Sequence, residues 1–432
     1  MRKFILSICV FATSIAAFGQ SITATSGKSY DTFAGVDYVY FFNGITPQTE
    51  ITYNGTGTVE WLKFSNGTSS PQSNQPTISP DDATGYILKI DGKVSKTIWV
   101  IDYSKYLPVL KSLSVPATQA NECKTVNLAI DAAIPALSYQ TSVSAASIPI
   151  TRDFNIAYTT LGWQGNTWQD STINVVVTLP TMQKIVKAPY RTTRFTLTGD
   201  QYAKDLGIEI KPAISAEYTP IAVICHETSI VSTRNATNEA ERPTTSKQIR
   251  GSAPLDMQFL SNANEPITKF YKWDISKGDK LILTRNDKDI RNTFTEAGVY
   301  KVSVAVSNSK SCSFTDSIIV TVSESQIVAP NVFTPNGDGF NDEFRVAYKS
   351  ITSFHCWIYN RWGRLVYEWT DPMKGWDGNI GGKKATPGAY FYIIKALGSD
   401  YNPNSKPDSK TKLRVGEYKL KGDINLLRGA DN

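Results

Sequence analysis

The sequence predicts an all-β chain of tandem β-sandwich modules, and three observations carry that reading. Nearly every segment alternates apolar and polar residues with a period of two, is rich in β-branched and aromatic types, and is punctuated by Gly, Pro, Asn and Asp. Long stretches with helical period and caps are missing, and Asp200 to Leu206 has room for one or two helical turns. The 432 residues, 41% apolar and 19% charged, suffice for three or four modules that each bury a core.

Composition narrows function before any motif does. The chain carries a formal charge of +6, or +4 without Arg2 and Lys3, and shows no strongly basic face of the kind nucleic acid requires. Two histidines exclude a His-rich metal cluster. Arg2-Lys3, the apolar run from Phe4 to Val10 and on to Ala17, and small residues at Ala17 and Gly19 read as a secretory signal over residues 1–19, cleaved before Gln20. The run is too short for a membrane-spanning helix, and Thr13-Ser14 interrupts it. No Cys stands at the cleavage point to take a lipid anchor, and no later segment approaches spanning length. Export is therefore expected.

Cys9 leaves with the signal, so Cys123, Cys225, Cys312 and Cys356 remain, with three complete pairings possible in an oxidising compartment. Cys312 shares a strand face with Phe314, Ile318 and Val320, and Cys356 shares one with Phe354 and Ile358. Both read as small buried hydrophobes. Any bridge is expected to join Cys123 to Cys225.

The first module is placed at residues 20–108, with strands around Tyr38–Phe42, Val59–Phe64, Tyr86–Ile90 and Thr97–Ile101. The polar stretch Ser65 to Pro80 reads as an exposed loop, solvated or binding. The second module, 109–242, is the largest; Val126–Ile130, Ile173–Val177 and Phe195–Thr198 are its clearest strands. It closes near Ile221 to Val231, and Arg234 to Ser246 is polar and Pro-interrupted, hence a linker. In the third module, 243–325, Leu255, Met257 and Phe259 alternate inward, as do Tyr300, Val302, Val304 and Val306. Gly-Ser-Ala-Pro at 251–254, Trp273-Asp274 and the run Thr293 to Val304 resemble the polycystic-kidney-disease (PKD) repeat, which implies an Ig-like sandwich. Ile275 to Asp279 departs from that family's tighter turn.

The segment 326–432 is the most informative. Asn331, Phe333, Thr334 and Pro335 lead into Asn336, Gly337, Asp338, Gly339, Asn341 and Asp342, a loop whose Asn-Gly and Asp-Gly pairs supply the positive φ of tight turns. Tyr359, Asn360, Arg361, Trp362 and Gly363 form a second turn, where Val in place of Gly363 is expected to be harmful. Trp376, Asp377 and Gly378 make a third, Gly388, Tyr390 and Tyr392 open a strand, and Leu426 and Arg428 end the last one. In this order the five motifs closely resemble the gliding-motility-associated C-terminal domain of the Bacteroidetes, the type B sorting domain of the type IX secretion system. The resemblance implies an address: passage through the outer-membrane translocon and its associated outer-membrane proteins to the cell surface or beyond.

Other chemistry is thinly represented. The Asn336 to Asp342 loop has oxygen ligands at alternate positions, but Phe340 interrupts them and Ala347 stands where an EF-hand carries Glu, so a plain turn is favoured over a Ca²⁺ site. His226 adjoins Cys225, and adjacent strand residues point to opposite faces, which makes a nucleophile pair geometrically poor. His355 lies among aromatics, in a packing or surface role. The carboxylates Asp81-Asp82 and Asp342-Glu343 lie in turns, and no Gly-x-Ser-x-Gly elbow, P-loop or His-Glu-x-x-His helix is present. Tyr158, Trp163 and Trp168 are the candidates for stacking on a surface glycan, core packing being the competing reading. Asp316-Ser317-Ile318 is a weak O-glycosylation flag. The expectation is a non-catalytic, cofactor-free surface protein, adhesin-like, structural or accessory to secretion and gliding. The alternative is a surface hydrolase or carbohydrate-binding subunit with its active part in residues 20–242.

Overall fold

The structure is a computed structural model and describes residues 21–243 and 249–428, so the expected signal at 1–19 lies outside the described residues. The chain divides into two compact units, one reaching to Gly162 and resuming over Trp168–Pro220, the other holding Trp163–Thr167 and everything from Ile221. Both are built from β-strands, with one five-residue α-helix and one 3₁₀ turn among the described residues.

In the first unit a six-stranded sheet runs in the order Lys28–Tyr30, Tyr38–Phe42, Lys93–Asp102, Thr84–Ile90, Val59–Ser65 and Thr68–Ser73. The unbroken apolar run of Tyr38–Phe42 follows from burial on both faces. Tyr40 and Phe42 point into a core with Trp61, Tyr86 and Leu88. Val39 and Phe41 point into another with Trp99, Tyr103, Tyr139 and Tyr202. The second core draws on residues from both sides of position 108, so the segments expected as separate first and second modules share it. The polar stretch Ser65 to Pro80 is mostly strand. Asn66 and Gly67, at φ 51° and 74°, make the tight turn that lets Thr68–Ser73 pair back on Val59–Ser65.

The rest of this unit contains a three-stranded sheet of Ser21–Ala24, Ile51–Asn54 and Thr77–Ile78, a hairpin of Leu137–Thr141 and Ser144–Ile150, and two further sheets. Val109–Ser114, Thr125–Ala133 and Gln183–Lys187 form one sheet; Thr167–Leu179, Arg152–Gln164, Thr196–Thr198 and Ala213–Ile214 form the other. The expected helical turn is Gln201–Asp205, capped by the Asp200 carboxylate, which accepts the Ala203 N–H at 2.9 Å. Asp200 also meets the fully buried Arg152 and accepts from the Tyr103 hydroxyl at 2.6 Å. Arg152 donates further to the Tyr106 and Pro135 carbonyls at 2.9 and 3.0 Å. A buried ion pair survives desolvation when its remaining donors and acceptors are satisfied, as they are here.

The second unit begins with an Ig-like sandwich. Thr228–Val231, Leu255–Leu260 and Ile290–Phe294 face a five-stranded sheet of Arg250–Gly251, Ser313–Val322, Gly298–Ser307, Phe270–Lys277 and Lys280–Arg285. Met257, Phe259, Trp273, Val302, Val304 and Val306 fill the space between, on the faces the alternation predicts. Thr228–Val231, read from sequence as closing the second module, pairs with Leu255–Leu260 in this sandwich. The polar segment after it is not a free linker over its described part. Ala240 N–H donates to Tyr348 C=O at 2.8 Å, and Asn238 donates its side-chain amide to the Val346 and Pro372 carbonyls.

The cysteine expectation is corrected. Cys123 is in a disulfide and so is Cys312, whereas Cys225 is a free thiol whose pKa burial pushes up to about 12, and Cys356 is free and buried. Alternation placed Cys312 and Cys356 inside correctly, but a buried position does not identify a partner.

Glu227 is the anomaly of the second unit. It is 7% exposed, neither carboxyl oxygen has a hydrogen-bond partner, and desolvation together with Asp316 raises its pKa to about 9. It therefore stays protonated in the folded protein while the unfolded chain ionises near 4.5. Stability should fall as pH rises from about 4.5 to about 9, at roughly 1 kcal/mol per unit, and Glu227→Gln should flatten that slope. Urea unfolding of both proteins across this range checks it; equal slopes would contradict the assignment.

Candidate functional site

The C-terminal strands assemble around one indole. Five strands lie in the order Val332–Phe333, Glu417–Leu426, Gly388–Gly398, Ile351–Tyr359 and Leu365–Trp369. Alternation sends Phe354, Cys356, Ile358, Tyr390, Ile394, Ile424 and Leu426 to the inner face. Trp376 is fully buried among them. Its ring centroid lies 5.4 Å from Phe333 and 5.0 Å from Tyr390, and its Nε1–H donates to Asn379 C=O at 2.8 Å. Phe344 and Trp376 exchange backbone hydrogen bonds of 2.8 and 3.1 Å, which fixes the indole from outside the main sheet.

The beginning and end of the segment are fastened together. Val332–Phe333 runs parallel to Asn425–Leu426, with Asn425 N–H on Asn331 C=O at 2.9 Å and Leu427 N–H on Phe333 C=O at 3.1 Å. Arg428 completes the closure by donating to Pro335 C=O at 3.2 Å and Gly378 C=O at 2.8 Å. Three motifs far apart in sequence thus meet at one guanidinium. Gly378 sits at φ 76°, and a Cβ there would lie 2.9 Å from Arg428 Nη2, so both its backbone and its missing side chain are required.

The remaining motif residues make turns. In the loop from Thr334, the Asp342 carboxylate accepts the N–H groups of Asn336, Gly337 and Gly339 at 3.0, 2.6 and 2.8 Å, which hold it below the usual carboxylate range. Asp338 accepts from Phe340 N–H, and Thr334 N–H donates to Asn341 C=O. Asp377 accepts twice from Asn379. Tyr359 ends its strand, and Asn360 then accepts from the N–H groups of Trp362 and Arg364 at 3.0 Å each, with Gly363 at φ 78°. Gly388 opens the strand on which Tyr390 donates to Thr386 C=O and Tyr392 lies half-buried over Gly422.

Comparison with known families now bears on this arrangement. Residues 327–411 match the family model described as the CHU_C Type IX secretion signal domain. This segment is a type IX secretion signal domain. The signal domain marks the protein for export across the outer membrane to the cell surface or the extracellular space, with the type IX machinery as partner. Residues 114–215 match the model of a Fibronectin type III domain, and all but Trp163–Thr167 of them belong to the first unit. No curated protein matches significantly.

Among solved structures, a tetra-tandem repeat in the extending region of a large adhesion protein is 10% identical, over 90% of this chain and 98% of that one, at a TM-score of 0.21. The chicken CNTN1 FN1–FN3 domains are 11% identical, over 74% and 98%, at 0.21. Dimeric latent PorU from Porphyromonas gingivalis is 11% identical, over 78% and 36%, at 0.17. No helix among the described residues is long and apolar enough to cross a membrane.

Other candidate residues go elsewhere. Cys225 is buried while the adjacent His226 is half-exposed, its Nδ1 3.9 Å from Asp316, so they do not form a nucleophile pair. His355 stacks on Trp357 at 3.7 Å and meets Glu368 at 3.1 Å. Tyr158 is buried against Phe195 and donates to Lys187 C=O, which removes it from any glycan surface. Its place in the alternation with Phe154 and Ile156 was the sequence signal for this. Trp163 lies against His226, and Ser317 is exposed on its strand. Sequence reasoning passed over Phe344, which anchors Trp376, and over Phe391, Ile393 and Lys383-Lys384, which line the outer surface of the signal domain.

Gly363 and Gly378, each at left-handed φ, should resist replacement unequally. Gly363→Ala meets nothing within 4 Å and should cost about 1–2 kcal/mol of backbone strain. Gly378→Ala carries the same strain and also disturbs the Arg428 bonds, so urea unfolding should show a further loss of about 1.5 kcal/mol or more. Equal losses would mean that Arg428 does not hold the domain closed.

Proposed function

We propose that this is a non-catalytic surface protein, delivered by the type IX machinery, that acts as an adhesin-like or structural protein or as an accessory of the secretion and gliding apparatus. The observation that carries the reading is a folded, self-fastened signal domain following Ig-like and fibronectin-type sandwiches. The motif residues act through that fold: Phe333, Trp376, Tyr390, Leu426 and Arg428 build it, and the turns at Asn336–Asp342 and Asn360–Gly363 present its surface.

The adjacent carboxylates Asp81 and Asp82, and Asp102 beside them, serve structure, which supports this reading over a hydrolase built on them. Asp102 accepts the Gly44 and Ile45 N–H groups at 3.1 and 3.2 Å, Asp82 accepts the Asp102 N–H at 2.8 Å, and Asp81 pairs with Lys63 at 2.7 Å. Acid–base hydrolysis of a glycoside needs two carboxyl groups facing each other across a cleft, free to exchange protons. Carboxylates committed to turn and strand-end amides lack that freedom.

Removing residues 326–432 should leave the rest of the chain in the periplasm. Cell fractionation, with labelling of intact cells by a membrane-impermeant amine reagent, measures it. Labelling equal to that of the full chain would overturn the sorting role.

A further inference from the structure

The outer face of the signal domain is built unlike a solvated sheet surface. Strand register places Leu365, Tyr359, Phe391 and Asp423 in one row across it and Glu368, Trp357, Ile393 and Lys421 in the next, so apolar side chains fill the middle of each row. Phe391 is 45% exposed, and at the tip of the hairpin formed by Ile351–Tyr359 and Leu365–Trp369 Trp362 is 77% exposed, with the Arg361 guanidinium 4.4 Å over its ring. The Asn360 side chain holds that turn through two backbone N–H groups, so Trp362 is presented from a fixed tip.

Grooves of about 570 and 440 Å³ lie on the two sides of the tip and share Asn360, Arg361 and Phe391. Their charged lining is Arg361, Lys421, Lys383 and Lys384 against the single carboxylate of Asp423. An apolar floor, an exposed aromatic with a stacked guanidinium, and a cationic rim form the anatomy of an interface with an acidic partner.

We infer that this face docks a protein partner whose apolar segment is flanked by acidic side chains, with Trp362 and Phe391 as its anchors and Arg361 and Lys421 as its charge contacts. The inference rests on the sorting role proposed above, since it names the surface through which the signal domain is read. Trp362 and Phe391 do not belong to the buried core of the domain. Trp362 lies outside the core around Trp376, and Gly363 with Asn360 suffices to make the turn.

The test is surface display of the full chain in its own host. Trp362→Ala with Phe391→Ser, and separately Arg361→Glu with Lys421→Glu, should each lower display at least tenfold with accumulation in the periplasm. Melting temperatures of the purified proteins should stay unchanged. Wild-type display from both folded variants, while removal of 326–432 abolishes it, would overturn the docking surface and leave the sorting role standing. Normal display of the truncation would instead remove the sorting role. Should either variant unfold, a photo-crosslinking residue at position 362 decides. An adduct to one outer-membrane protein, weakened at least fivefold by Lys421→Glu, supports the inference. No protein adduct, an adduct to a second copy of this chain, a lipid adduct alone, or one indifferent to the charge change overturns it.

Discussion

The enclosure of Trp376 is the constraint on which the C-terminal domain depends. An indole with its N–H satisfied by Asn379 and its faces covered by Phe333, Tyr367 and Tyr390 contributes several kcal/mol of burial. That contribution depends on the first and last strands of the five-stranded sheet staying side by side, because Phe333 comes from one and Leu426 from the other. Arg428 fastens the same junction through Pro335 and Gly378. Aromatic core, strand closure and guanidinium contacts therefore form together.

This coupling explains why the sorting motifs are scattered along the sequence yet compact in space. One set of residues fills the core or supplies the backbone freedom that closure needs. Another set, at the tips of the Asn336–Asp342 and Asn360–Gly363 turns, is held by side chain to backbone hydrogen bonds and faces outward. On the proposed sorting role, the machinery would meet a shape rather than a linear peptide, in keeping with a domain that carries its own hydrophobic core.

Most of the fold was written in period-two alternation. It placed Leu255, Met257, Phe259, Tyr300, Val302, Val304 and Val306 inside, because a strand has only two faces and one must be dry. What alternation could not convey was pairing between distant segments. The bonding states of Cys123 and Cys225, the transfer of Thr228–Val231 to the following sandwich and the Arg152–Asp200 pair all depend on which strands become neighbours. Arg428 reaches a carbonyl 93 positions earlier, a contact created by closure alone. At the candidate site the turns were readable from Asn and Gly chemistry. The outward row of Phe391 and Ile393 was hidden in a strand apolar on both faces, where composition does not tell inside from outside.

Grafting tests the central claim most directly. Residues 326–432, fused behind an unrelated periplasmic protein in the same host, should carry it to the cell surface, where a membrane-impermeant reagent labels it on intact cells. A fusion whose signal domain is folded but whose passenger stays in the periplasm, unlabelled, would contradict the account.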